Sequence, residues 1–400
     1  MASKEAISAV APVAVGATDI WQPGAIPLSL YIHIPWCVRK CPYCDFNSHE
    51  LKSELPESAY VDALLADIEL ALPKIWGRRV HSVFFGGGTP SLFSAAAIDR
   101  ILSGARTLLP FEAYAETTLE ANPGTYEVGR FRDYHAVGIN RLSLGVQSFD
   151  DDALRALGRI HSANDARAAV DSAVGVFERV NIDLMYGLPQ QTLEQSVNDI
   201  NIALETGVGH LSVYNLTIEP NTAFATRPPS LPDNDTCDAM QRAIESALVA
   251  QQFARYEISA FARPRQQCRH NLNYWRFGDY LGIGAGAHSK LSLPDTIHRH
   301  ALCKHPREYL DRSAAQRVEA ERTLEASDRI FEFMLNALRL TEGASFELFE
   351  RTTGLARLKI LPLLDRAEAR GLLERDYQRF RASELGLRHH NALLELFLPS

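Results

Sequence analysis

Leu28-Ser29-Leu30-Tyr31-Ile32-His33-Ile34-Pro35-Trp36-Cys37 alternates with period two as far as Ile34, breaks at Pro35 and then delivers a cysteine. Such a run reads as a strand whose end carries chemistry. Downstream, residues 58–72 place Val61, Leu64, Leu65, Ile68 and Leu72 at helical spacing, and Pro73 marks the expected end of that helix. The same alternation repeats. Strands are predicted at 80–85, 117–121, 141–146, 181–185 and 211–216, with helices at 96–109, 163–177 and 193–206. Each strand–helix unit spans roughly 30–40 residues, the spacing of parallel βα repeats. Six units fit between Leu28 and about Gln252, short of the eight in a full barrel, so the predicted fold is α/β, a partial (β/α)6 barrel. Cys37, Gly86, Asn122, Gln147 and Gly187 all fall just after predicted strand ends, where parallel α/β folds carry their active face.

The first of these strand ends leads into Cys37-Val38-Arg39-Lys40-Cys41-Pro42-Tyr43-Cys44, spaced C-x3-C-x2-C. Three thiolates on one tight loop suit three corners of an iron–sulfur cube, whose fourth iron stays open to a small molecule. A structural zinc site is the alternative, with His33 or His49 as fourth ligand. The other thiols, Cys237, Cys268 and Cys303, are isolated. Clustered thiols in a chain of 400 residues, long enough to build its own core, point to metal and to a reducing, cytoplasmic compartment rather than to a disulfide framework.

Further motifs follow in order. Gly86-Gly87-Gly88-Thr89-Pro90 follows the second strand, Glu120-Ala121-Asn122-Pro123-Gly124 the third, and Ser143-Leu144-Gly145-Val146-Gln147-Ser148-Phe149 ends the fourth. Glycines let backbone approach a ligand closely, a carboxylate suits ribose hydroxyls, and an arginine fork such as that of Arg159 suits a carboxylate. With Tyr43 before the last cysteine, the cluster loop and these segments resemble the radical S-adenosylmethionine superfamily. The resemblance implies a 4Fe–4S cluster on Cys37, Cys41 and Cys44. It also implies S-adenosylmethionine held by Tyr31, Tyr43, Gly87, Gly88, Thr89, Glu120, Gln147, Arg159 and Asp183.

The segment from Tyr31 to Cys37 and Asp183-Leu184-Met185-Tyr186-Gly187-Leu188-Pro189 narrow the likeness to the branch containing oxygen-independent coproporphyrinogen III oxidase. That enzyme carries another cysteine two residues after the third cluster ligand, where this chain has Phe46. His270-Asn271-Leu272-Asn273-Tyr274-Trp275 and Tyr280-Leu281-Gly282-Ile283-Gly284-Ala285-Gly286-Ala287-His288-Ser289 resemble the HemW-type haem chaperones of the branch. That likeness implies haem as ligand and a haem-accepting protein as partner. It leaves open transient membrane association and a monomeric or dimeric state. If the 270 segment is helical, His270 and Tyr274 stack at i,i+4, as do Asn271 and Trp275, and the imidazole becomes a candidate iron ligand with aromatic neighbours. Cys268 is the second candidate, a buried structural histidine the plain alternative, and Gly282, Gly284 and Gly286 an expected permissive loop.

Composition changes near residue 320. A charged helix over 322–338, short helices at 346–352, 358–369 and 389–396, and short strands at 373–375 and 380–382 predict a small helical, winged-helix-like domain over 321–400. The barrel with its haem segment 268–289 then occupies 27–320, and 1–26 is an expected flexible tail. Residues 6–17 are small and apolar, yet Lys4 alone precedes them, Glu5 is acidic and Pro12 interrupts them, unlike an export signal. With 41 Lys plus Arg against 49 Asp plus Glu, the net charge of −8 argues against a nucleic-acid partner.

Overall fold

The computed structural model describes residues 21–124 and 128–399. Six parallel strands alternate with helices in the predicted order: β1 (Leu28–Ile34), α1 (Glu57–Ile75), β2 (Val80–Gly87), α2 (Ala95–Leu108), β3 (Phe111–Ala121), β4 (Arg141–Gln147), α3 (Ala163–Val174), β5 (Val180–Tyr186), α4 (Leu193–Glu205) and β6 (His210–Asn215). β1 and β5 are buried along nearly their whole length, because helices cover one face of the curved sheet and side chains fill the other. Pro73 lies inside the last turn of α1 rather than after it; its missing N–H removes one bond of the ladder, and the helix ends at Ile75.

After α5 (Asn234–Ala250) the chain adds the antiparallel β7 (Ala260–Ala262) beside β6, and α6 (Arg269–Trp275) crosses to the opposite edge of the sheet. There β8 (Asp279–Ile283) pairs in parallel with β1, making a seventh parallel strand that takes in Gly282, while Gly284 and Gly286 form the expected loop beyond it. Three antiparallel strands extend that edge: β9 (His288–Leu293), β10 (Thr296–Leu302) and β11 (Val318–Thr323). Among the described residues the sheet has 12 strands and stays open, a partial barrel with antiparallel wings.

Arg322 belongs to β11, so the predicted helix begins later, as α7 (Ala326–Ala337). A second apolar core, to which Phe277 and Ile297 also contribute, gathers α7, α8 (Phe346–Thr353) and α9 (Leu361–Ala369) against a three-stranded antiparallel sheet. The outer strands of that sheet are Ala344–Ser345 and β12 (Leu373–Arg375), flanking β13 (Arg379–Ala382). Helices on a small antiparallel sheet match the winged-helix-like expectation. Of the expected tail, 1–20 lie outside the described residues; Trp21 packs against the second core and donates its indole N–H to Pro294 O at 2.7 Å. No helix among the described residues is long and apolar enough to cross a membrane.

Candidate cofactor site

Pro35 ends β1, and Trp36-Cys37 then pairs in parallel with His49-Glu50, which closes the cysteine loop at its base. Backbone bonds fasten that base: His49 N donates to Pro35 O (2.7 Å) and Leu51 N to Cys37 O (2.9 Å). The glycine segment clamps it from the other side, with Gly88 N donating to Ile34 O and Thr89 N to Trp36 O at 2.7 and 2.8 Å. Farther along the loop, Lys40 Nζ donates to the carbonyls of Phe46 and Ser48, and Asn47 Nδ2 to those of Ala285 and Lys304. The loop is therefore shaped by hydrogen bonds that the protein itself supplies.

Cys37, Cys41 and Cys44 face one cavity of about 310 Å³, which Tyr43, Gly87, Gly88, Thr89, Glu120, Gln147, Arg159 and Asp183 also line. The three thiols share a cavity without converging on a point. Among the described residues no group of three His, Cys, Asp or Glu side chains is arranged around a single metal ion. His33 has both ring nitrogens engaged, 2.9 Å from the Tyr31 hydroxyl and 2.8 Å from Asn47 O, and His49 Nε2 lies 3.2 Å from Asn47 Oδ1. Neither histidine completes a zinc site. A donor set spread round a volume and lacking a fourth ligand fits a multinuclear cluster with one open metal.

Period-two geometry builds the floor. Glu120 on β3, Ser143 and Gly145 on β4, Asp183 on β5 and Tyr214 on β6 all reach the cavity from the concave face. Burial and the neighbouring Asp183 charge push Glu120 up to about 8, and burial raises Asp183 as well. Two carboxylates held out of water favour a ligand that brings positive charge. Opposite them, Arg159 Nη2 donates to Asn122 Oδ1 (2.6 Å) and Gly145 O (2.7 Å), and its Nη1 lies 3.5 Å from Cys41 Sγ. Gln147 sits at φ +72°, a left-handed conformation that costs free energy in a non-glycine residue and turns the strand end towards the cavity. The sequence placed Asn122 at a strand end on the active face without giving it a ligand contact, and it did not single out Tyr214. Asn122, two residues after Glu120, bonds Thr89 Oγ1 at 3.0 Å, and Tyr214 keeps the period-two phase of β6.

Two expected contacts stand differently. Tyr31 does not line the cavity; its ring packs on Phe84 and His270 below the floor, and its hydroxyl holds His33. Gly87 lines the cavity, yet a Cβ there, at φ +114°, would first meet the His33 ring at 2.5 Å. Gly87→Val is therefore expected to dislodge His33, and with it Asn47 and the loop. The variant should lose iron as well as S-adenosylmethionine binding, by metal analysis and equilibrium dialysis. Full iron with only the small molecule lost would show that the glycine serves the ligand alone.

The 270 segment is helical, as expected, and its three aromatic positions diverge. His270, 3% exposed, stacks on Phe84 at 4.3 Å and meets Tyr274 edge-on at 4.6 Å, inside the barrel. Its Nδ1 is buried without a partner, and burial pulls the ring down to about 3, so it is neutral. Trp275 lies apart, under the Arg339 guanidinium at 4.3 Å. Cys268 is buried with its Sγ 3.6 Å from Glu116 Oε1, which also accepts from Arg269 N at the start of α6. A neutral imidazole with a free nitrogen is chemically apt for iron, yet the ring is enclosed by Phe84, Tyr31 and Tyr274, and the nearby space of about 130 Å³ is lined by Cys268 and Asn271 and not by His270. A haem-sized ligand needs several hundred Å³. As folded, haem does not fit at His270.

Comparison with known proteins agrees with this geometry. The model of the radical SAM superfamily matches residues 31–201, and that of the HemN C-terminal domain matches 324–389. The chain is 50% identical to the heme chaperone HemW of Escherichia coli over 374 residues, 93% of this chain and 98% of the relative. It is 35% identical to the heme chaperone HemW of Bacillus subtilis, covering 86% of this chain and 92% of that one. Among solved structures it is similar to coproporphyrinogen III oxidase (HemN) of Escherichia coli, with TM-score 0.79, 25% identity, and 95% and 92% of the two chains covered. The cysteine loop on the open barrel and the full-length likeness to these chaperones lead to one assignment: the chain belongs to the radical S-adenosylmethionine superfamily and, within it, to the family of the HemW heme chaperones.

Proposed function

We propose that this protein binds haem and delivers it to haem-requiring proteins, carrying a 4Fe–4S cluster on Cys37, Cys41 and Cys44 with S-adenosylmethionine beside it. The observation that carries this reading is the twofold contrast in identity, 50% to a heme chaperone against 25% to the oxidase, each over nearly the full chain. The site offers a local counterpart. Position 46, where the oxidase branch has a cysteine, holds Phe46, whose 62% exposed ring stands at the cavity rim and can neither ligate nor transfer a proton. Glu120 and Asp183, whose buried carboxyls a bound cation would draw towards ionisation, suit a sulfonium and an ammonium group, and Gly87, Gly88 and Thr89 line the same cavity. Gln147 and Arg159 bound the same space. Tyr43 is the aromatic wall beside Cys44, whereas Tyr31 positions His33 from below. When bound, the cluster supplies an electron to S-adenosylmethionine; the residues described here hold and orient the two groups.

The test is anaerobic reconstitution followed by haem titration and a coproporphyrinogen III assay in parallel. Haem is expected to bind and the porphyrinogen to remain unconverted over many equivalents. Multiple turnovers to protoporphyrinogen IX would replace the chaperone reading with the oxidase.

A further inference from the structure

A second cavity exceeds the cofactor site in volume. It is a groove of about 570 Å³ at the opposite end of the barrel, reached by α8 of the second core. Pro27 precedes β1, His81 is the second residue of β2, Arg179 precedes β5 and Gly278 precedes β8, so the groove belongs to the strand N-termini. Arg179, Arg265, Arg269, Arg276 and Arg351 line it, and no Asp or Glu does. In a chain of net charge −8 this is a local reversal of sign that selects for an anion.

Neighbouring carboxylates do not cancel that charge. Glu116 pairs with Arg179 but is shared with Arg141, and Glu342 pairs with Arg276 but is shared with Arg379. Arg269 Nη1 donates to the carbonyl of Tyr114 and keeps its full charge. Arg265 and Arg351 have no ion pair or hydrogen bond among the described residues. Both are exposed, and each offers a free planar fork that takes a carboxylate by two parallel hydrogen bonds.

The backbone at Arg265 points the same way. It sits at φ +67°, the left-handed region, and Gln266 N donates to Arg263 O at 3.0 Å to close the turn. A turn with proline second and a left-handed third position prefers glycine there. Pro264-Arg265 puts an arginine in that place, so the turn bears the strain of a side chain and gains a fork in the groove. Along α6 and its C-cap, Arg269, Leu272, Asn273 and Arg276 recur at i, i+3, i+4 and i+7 and face the groove. The two arginines then lie about 10 Å apart along the helix axis, a span that an extended chain covers in about three residues.

We propose that this groove docks an acidic, extended segment of a partner protein, with Arg265 and Arg351 taking its carboxylates. The proposal goes beyond the haem and cofactor reading and does not depend on it. Pro27, Leu272 and Leu348 supply apolar wall for the side chains between the acids. A small inorganic anion would leave that wall unused. A nucleic acid would find no Phe, Tyr or Trp ring on which to stack a base. A partner held here leaves uncovered the mouth of the cofactor cavity, which lies at the strand C-termini.

The test is fluorescence anisotropy with the full-length, reconstituted protein and a fluorescein-labelled decapeptide in which pairs of glutamates alternate with leucine. The same peptide with lysine in place of glutamate is the control probe. The acidic peptide is expected to bind, more weakly as salt rises, and the lysine peptide is not. Arg265→Gly with Arg351→Gln is expected to lower the affinity about tenfold or more. Glycine suits the backbone at 265, so circular dichroism and iron content should be unchanged. Arg132→Gln with Arg370→Gln removes the same charge from exposed positions outside the groove and should bind as the wild type does. Equal affinity in the groove variant, or an equal loss in the control variant, would overturn the proposal. So would displacement of the peptide by an equal concentration of pyrophosphate or of a short single-stranded DNA, which would make the groove a phosphate site. A wild type that does not prefer the acidic peptide would overturn it as well.

Discussion

Cys37→Ser is expected to leave anaerobic purification with most of its iron gone and without the broad visible absorption of an iron–sulfur cluster, while remaining folded. A hydroxyl at this position is a poor iron ligand, and two thiolates cannot hold a cube at three corners. The backbone argument predicts that the fold survives. Cys37 O still accepts from Leu51 N, and Trp36 still pairs with His49, so the neighbouring thiols keep their places. Cys41→Ser and Cys44→Ser should behave alike, and Cys41→Ser should also release the contact to Arg159 Nη1. Cys237→Ser, remote from the three-thiol loop in the sequence, is the control and should keep its full iron. Iron analysis with the visible spectrum decides: full iron in all three loop variants would remove the cluster assignment, and stoichiometric zinc after anaerobic purification would restore the alternative discarded on geometry.

Asp279→Ala should be the most destabilising single change outside the site, by about 3–5 kcal/mol. The Asp279 side chain is fully buried at the start of β8, between Lys290 Nζ at 2.8 Å and Arg78 Nη1 at 2.7 Å, both nearly as enclosed. Ser292 donates to it through both N–H and hydroxyl. Burial works to raise its pKa, yet the two cations hold the carboxyl below its ordinary value, so the group is ionised. Removing it strands two buried positive charges at the seam where β8 joins β1 and β9. Asp279→Asn keeps the shape, loses the charge and should fall between. Arg100→Ala, which breaks the exposed pair with Asp62, should cost at most about 1 kcal/mol. Urea midpoints measured on the reconstituted protein would rank the variants; Asp279→Ala matching Arg100→Ala would show that the buried cations find other partners.

The parallel strands were legible because their apolar residues alternate with period two and their spacing along the chain revealed the repeat. β8 was not, because Gly282 breaks its pattern. A Cβ there would collide with the His288 carbonyl, so the glycine records close approach of β9 rather than a loop. β11 was missed for another reason: Val-Glu-Ala-Glu-Arg-Thr lies exposed on the sheet edge, and no buried face imposes an alternation. At the site, motif position along a strand told which residues meet at its end, and Cys37, Gly88, Glu120, Gln147, Arg159 and Asp183 meet there. Depth below that end was not readable. Tyr31 and His270 hold motif positions but lie under the floor.

The cysteine loop is tied down by carbonyls of Ile34, Pro35, Trp36, Ala285 and Lys304, none of which needs iron. Loss and return of the cluster are then expected to take place on a folded chain, so damage by oxygen should be mended by refilling the seat rather than by making the chain again.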